Sequence, residues 1–366
     1  MRAAVLTGRG GPEMLVVRDD VPVPRPGPGE VLIAVAACGV NNTDVNTRLG
    51  WYSRSVTSGT DTAAAGGEVG RAEDATWGGT GLTFPRIQGA DVAGRVVAVG
   101  AGVDDTLLGR RVLVDPWLRD PTDPSSRENV GYLGSEADGG FAEFCRVPAA
   151  NVHPVEVDLD DIELATFACS GSTAEHMLTR VGLTAGRSIA VPGASGGVGT
   201  SLVQLARARG ARVVAVCGES KADAVAALGA DEVVVRGPDV AARAVEANGG
   251  PFDVVADVVG GDDVASWLDA LKRGGRYVTS GAIAGPLVTV DLRVLYLNDL
   301  EMYGATVFPP PVFAALVERV QAGDIRPVVA GVYPLEEIHA AQEAFIAKRH
   351  VGSFVIAVDP ALASRT

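Results

Sequence analysis

The run Gly193-Ala194-Ser195-Gly196-Gly197-Val198-Gly199 carries the strongest chemical signal in the chain. It follows the apolar run Ile189-Ala190-Val191 and opens a segment with Leu202, Val203, Leu205 and Ala206 at helical spacing. Glycines there permit a tight turn and let the backbone approach an anion, to which a helix N-terminus offers its unpaired N–H groups. A site for the pyrophosphate of a dinucleotide is expected, although Ala194 replaces the first glycine of the GxGxxG form. The next apolar run, Val213-Val214-Ala215-Val216, ends at Cys217-Gly218 with no carboxylate at its tip. A carboxylate there would bind a ribose 2′-OH, whereas basic residues suit a 2′-phosphate. Ser220 and Lys221 follow and can take that phosphate; Glu219 between them is the counter-indication. The balance favours NADPH over NADH.

Other chemistries lack support. The four cysteines, Cys38, Cys145, Cys169 and Cys217, form no CxxC pair and no dense framework. His153, His176, His339 and His350 show no metal-ligand spacing, and neither a Ser–His–Asp order nor a nucleophile elbow is present.

The elements around these residues divide in two. Before about residue 150 the chain reads as short strands between turns, among them 31–36, 96–99 and 112–114, which predicts a mainly β unit. A helical stretch is expected over Asp161–Val181. From Ser188 short apolar runs alternate with helical segments as far as Tyr277-Val278-Thr279, the signature of a parallel sheet covered by helices. Helices near 311–322 and 335–347 and a strand at Ser353–Val358 then return to the first unit. Residues 53–84, ending near Trp77-Gly78-Gly79, and 115–140, with Asp115-Pro116, Asp120-Pro121 and Asp123-Pro124, fit neither pattern and read as long functional or mobile loops.

With 366 residues, about two domains are expected. The 46 glycines exceed a usual share of about 7%, without a collagen-like period, and so imply many tight turns. A net charge of −14 argues against a nucleic-acid surface. No apolar run approaches the roughly 20 residues needed to span a bilayer, and Met1–Thr7 turns polar too early for a signal peptide. A soluble cytoplasmic protein acting on a small molecule is expected, with no nucleic-acid or membrane partner.

Taken together, Gly29-Glu30-Val31-Leu32-Ile33, Cys38-Gly39-Val40-Asn41-Asn42-Thr43-Asp44, Gly89-Ala90-Asp91-Val92-Ala93-Gly94, Gly193–Gly199, Asp257–Gly261, Gly274-Gly275-Arg276 and His350-Val351-Gly352 resemble the medium-chain dehydrogenase/reductase superfamily over nearly the whole chain. The resemblance implies an α/β protein: a Rossmann doubly wound parallel sheet at 153–308, plus a GroES-like, mainly β catalytic domain split between 1–152 and 309–366. Zinc-dependent members have a Cys where Asn41 stands and a His where Ala90 stands. Cys169 occupies the third ligand position and Asp91 the nearby acidic one, so no zinc is expected and the likeness is to the quinone oxidoreductase branch.

That branch implies hydride transfer to a quinone, enone or other activated alkene, with donors at the developing oxyanion. Asn41, Tyr52 and Thr43 are the candidate catalytic residues, with Trp51 as an apolar wall. Gly281, Ile283, Thr306 and Val307 are carried over as walls of the nicotinamide pocket. Two alternatives stay open: a zinc-free alcohol or aldehyde dehydrogenase, and a non-redox NADP(H)-binding sensor or structural protein. The segment Glu301–Val307 resembles an edge strand through which relatives pair, implying a homodimer.

Overall fold

The computed structural model describes residues 1–60, 62, 69–70 and 81–363. Much of the 53–84 segment, including Trp77-Gly78-Gly79, therefore lies outside the described residues.

Two large sheets organise the chain. A six-stranded sheet runs in the order Glu232–Val235, Arg212–Cys217, Ser188–Pro192, Phe252–Asp257, Leu271–Thr279, Glu301–Gly304, and every pairing is parallel. Its inner strands are nearly continuous in Val, Ile and Ala and are buried on both faces, as a sheet covered by helices requires. The helix Gly197–Ala208 follows Ser188–Pro192 and buries Leu202, Val203, Leu205 and Ala206. The chain builds outward in one direction through 212–217 and 232–235, then crosses to 252–257 on the other side. The crevice between Ser188–Pro192 and Phe252–Asp257 is the switch point at which such sheets bind ligands.

The second sheet has seven strands and draws on both ends of the sequence. Ser353–Ala357 pairs antiparallel with Glu30–Gly39 and parallel with Val329–Pro334, so the C-terminal segment completes the sheet begun near the N-terminus. The expected helix over 161–181 is two helices, Asp161–Leu164 and Ala168–Arg180. Asp160 caps the first, and the break places the start of the second against Asp91. Among the described residues no helix is long and apolar enough to cross a membrane.

Candidate active site

A cavity of about 510 Å³ opens between the two sheets. One end is lined by Gly193, Gly196, Gly197, Val198, Gly199, Gly281, Ile283 and Thr306, the other by Asn41, Thr43, Asn46, Trp51, Tyr52, Trp117, Tyr132 and Cys169. The candidates for nucleotide binding and for chemistry thus face each other.

At the glycine-rich end, Gly193 has φ +74° and turns the chain directly after Ser188–Pro192. A Cβ on Gly199 would lie 2.2 Å from the Gly193 carbonyl oxygen, so only glycine permits this turn to close against the helix. Gly196 caps the helix without a side-chain bond, which leaves the first turn bare toward the cavity. Unpaired N–H groups at such a helix start can take an anion. Ala194 is buried and donates its N–H to Val216 O, while Ser195 O accepts from Gly352 N.

The tip of Arg212–Cys217 lies beside this turn but outside the cavity lining. Cys217 is buried, Gly218 is half-buried, and Ser220 and Glu219 are exposed. The half-buried Lys221 donates to Lys348 O at 2.6 Å and to Ser195 Oγ at 3.4 Å. Burial and then Arg236 lower its ammonium pKa. Sequence reasoning missed Arg236, just past the next strand, Glu232–Val235; a basic residue at the tip of an apolar run is the signal that could have found it. Val307 lies outside the cavity lining and packs against the main core instead.

Register brings the opposite end together. Gly39 is paired with Asp91 across the antiparallel strands Glu30–Gly39 and Asp91–Val99, which sets Asn41 beside that carboxylate. A Cβ on Gly39 would meet Ala165 O at 2.4 Å and Asp91 Oδ2 at 2.7 Å. Asn41 Nδ2 donates to Asp91 Oδ2 at 2.6 Å, and its Oδ1 accepts from Ser170 Oγ at 3.2 Å. Asp91 Oδ1 accepts the backbone N–H of Cys169, in the first turn of Ala168–Arg180, where a helix favours a negative group. Burial raises the Asp91 pKa to about 6, partly offset by these two donors. Asp44, also buried, accepts from Asn41 N at 2.8 Å and Gly89 N at 3.2 Å; burial lifts its pKa to about 7.

Tyr52 follows the helix Asn42–Leu49, and its hydroxyl is hydrogen-bonded by the Thr43 and Asn46 side chains. Burial raises its pKa, so it remains a protonated donor. Tyr132 Oη donates to Cys169 Sγ at 3.2 Å. Burial and the Asp91 charge push the Cys169 thiol pKa up, which keeps it protonated. Sequence reasoning missed Asn46, Trp117, Tyr132 and Thr60. Thr60 lines the cavity and donates its N–H to Ile283 O at 3.0 Å. Only the turn signals in 115–140 hinted at a shaped loop there.

A glycine-rich helix start and a set of side-chain hydrogen-bond donors thus line one cavity. Residues 27–157 match the alcohol dehydrogenase GroES-like domain and residues 197–322 match the zinc-binding dehydrogenase family. A quinone oxidoreductase of Lama guanicoe is 30% identical over 353 residues, covering 94% of this chain and 93% of the relative. An NAD-dependent alcohol dehydrogenase of Sulfolobus acidocaldarius is 28% identical, covering 93% and 95%. A crystal structure from Sinorhizobium meliloti 1021 superposes with a TM-score of 0.88 at 49% identity, covering 98% of this chain and 96% of the other. The chain belongs to the medium-chain dehydrogenase/reductase superfamily. It is an NAD(P)-dependent oxidoreductase of that superfamily, with a Rossmann-like parallel sheet and a separate GroES-like unit.

Proposed function

We propose that the protein is an NADPH-dependent, zinc-free reductase of quinones, enones or related activated alkenes. The observation that carries this reading is the occupation of Asp91 by Asn41 Nδ2 and Cys169 N. A catalytic zinc takes three protein ligands from Cys, His and carboxylate. Here the side chains are a neutral amide at Asn41, the single Asp91 carboxylate, which accepts from Asn41 Nδ2 and Cys169 N, and the single thiol of Cys169, while Ala90 offers none, so that three ligands are not assembled. These residues do not fit a catalytic zinc, and no step is derived through one.

The dinucleotide fits the residues present: the bare first turn of Gly197–Ala208 receives the pyrophosphate, and Lys221 with Ser220 receives the 2′-phosphate. When bound, NADPH supplies a hydride. Gly281, Ile283 and Thr306 wall the nicotinamide end. Tyr52 presents its hydroxyl to the oxygen that gains charge as the double bond is reduced, Thr43 supports it by a hydrogen bond to that hydroxyl, and low dielectric strengthens such a donor. Asn41 keeps a second amide N–H after serving Asp91 and lines the same cavity. Tyr52 Oη holds the proton that the enolate can take.

Relatives named alcohol dehydrogenase favour a second reading, reduction of an aldehyde carbonyl. Steady-state turnover with NADPH against a panel of quinones, enones and aldehydes separates the two. Activity with quinones or enones supports the first, and activity confined to aldehydes overturns it.

We assign 1–152 and 309–366 to the catalytic domain and 153–308 to the nucleotide domain. A homodimer formed through the edge strand Glu301–Gly304 completes the reading, supported by its exposed Met302 and by Leu292, Tyr296 and Leu297 nearby. All four cysteines are free, consistent with a reducing cytoplasm.

A further inference from the structure

The segment 115–140 supplies two aromatic residues to the cavity, and a buried ion pair holds them there. Trp117 and Tyr132 face each other in a short antiparallel pair, with ring centroids 4.7 Å apart and planes inclined at 68°. Both line the cavity, as do Trp51, Tyr52, Gly281 and Thr306.

Beneath them, Arg119 Nη1 donates to Asp115 Oδ2 at 2.7 Å and to Trp117 O at 2.9 Å. Its Nη2 crosses to Phe308 O at 2.9 Å, and its guanidinium lies 5.4 Å from the Phe308 ring centroid. Asp115 in turn accepts from Trp117 N at 3.0 Å, and Asn151 Nδ2 donates to the carbonyls of both Asp115 and Trp117. Phe308, two residues beyond the cavity-lining Thr306, is buried behind the wall and meets the Trp117 ring edge-on, with centroids 6.4 Å apart. The Arg119 side chain is 9% exposed and that of Asp115 3%. A buried pair of this kind is weak support for stability but gives a fixed geometry.

We infer that Trp117 and Tyr132 are specificity-determining walls selecting a flat, conjugated ring as acceptor, and that Arg119 is the positioning residue that sets their distance from the Thr306–Phe308 segment. This names the substrate class within the reductase reading and rests on it. Four aromatic side chains around one end of a cavity favour offset or edge contact with a planar ring, which an acyclic acceptor cannot match. Arg119 acts because two of its contacts converge on the carboxylate and carbonyl that orient Trp117, and two more tie them to Phe308, next to the cavity-lining Thr306.

The test compares 1,4-naphthoquinone with 3-buten-2-one in native protein, Trp117→Leu, Arg119→Lys and the charge-free double variant Asp115→Asn/Arg119→Met. The double variant removes both buried charges, so that no unpaired carboxylate remains to disrupt folding. Calorimetric titration of 1,4-naphthoquinone into the NADP⁺-loaded protein reads ring binding without turnover. The native protein should bind the ring, and Trp117→Leu should weaken it about tenfold. The kcat/KM ratio of ring to acyclic acceptor should fall by a similar factor through KM, with NADPH affinity unchanged. The double variant should lose the same preference, and Arg119→Lys should recover part of it.

Equal ring binding by native protein and Trp117→Leu overturns the wall assignment. An unchanged preference in the double variant overturns the positioning role of Arg119. Trp117-dependent ring binding without turnover of either acceptor supports the wall and overturns the reductase reading instead.

Discussion

Asn41 donates its side-chain amide to the buried Asp91 carboxylate across 2.6 Å, in the arrangement set by the Gly39–Asp91 register. The contact ties the start of the helix Asn42–Leu49 to the start of the helix Ala168–Arg180, because the same carboxylate accepts Cys169 N. Asn41→Ala should lower kcat by about 100-fold, the scale of losing a donor at a developing oxyanion, with little change in NADPH affinity. Steady-state kinetics combined with fluorescence titration of the cofactor checks this; a loss confined to cofactor affinity contradicts it.

Asp44 and Asp91 give stability a definite pH dependence. A carboxyl whose folded pKa is raised binds its proton more tightly in the folded state. Its contribution is fully present below the unfolded value, near 4, and is lost as pH rises through about 6 for Asp91 and about 7 for Asp44. Each such group changes unfolding free energy by at most about 1.4 kcal/mol per pH unit within that window. Asp44→Asn should therefore flatten the fall in Tm between pH 5 and pH 8. It should also lower Tm at pH 5, since one of the bonds from Asn41 N and Gly89 N loses its acceptor. Thermal melts across that range decide it.

Lys221→Ala should weaken NADPH by about tenfold or more and NADH far less, as expected for loss of one charge-assisted bond to a phosphate. The substitution also removes the tether to Lys348 O, which affects both cofactors alike. Equal losses for NADPH and NADH in equilibrium titrations reject the 2′-phosphate role.

Purified protein should contain no stoichiometric zinc by mass spectrometry, and prolonged exposure to EDTA should leave turnover unchanged. One tightly bound zinc per chain would falsify the argument from Asn41, Ala90 and Cys169.

The native protein should be a dimer in light scattering at micromolar concentration, as proposed, and Met302→Lys should make it a monomer. Met302 is 45% exposed on an open edge strand, and Tyr296 nearby is 62% exposed. Burying a lysine there costs more than burying a methionine unless the charge is paired. An unaltered dimer assigns the association to another surface.

The sequence by itself determined the nucleotide half. Ile189–Val191, the turn Gly193–Gly199 and the helix after it are local in the chain, and their periodicity and glycine positions dictate one backbone arrangement. It also marked position 41 as an amide, from which the missing metal ligands could be argued. What Asn41 does could not be read, because its partners Asp91 and Ser170 lie 50 and 129 residues away and are brought to it by strand register and helix packing. The same holds for Trp117 and Tyr132: turns at 115–124 marked a shaped loop, but contacts with Asn151, Cys169 and Phe308, the last 189 residues from Arg119, set that loop against the cavity. Local pattern specifies elements, whereas a site built from distant side chains exists only once tertiary packing has fixed their separations.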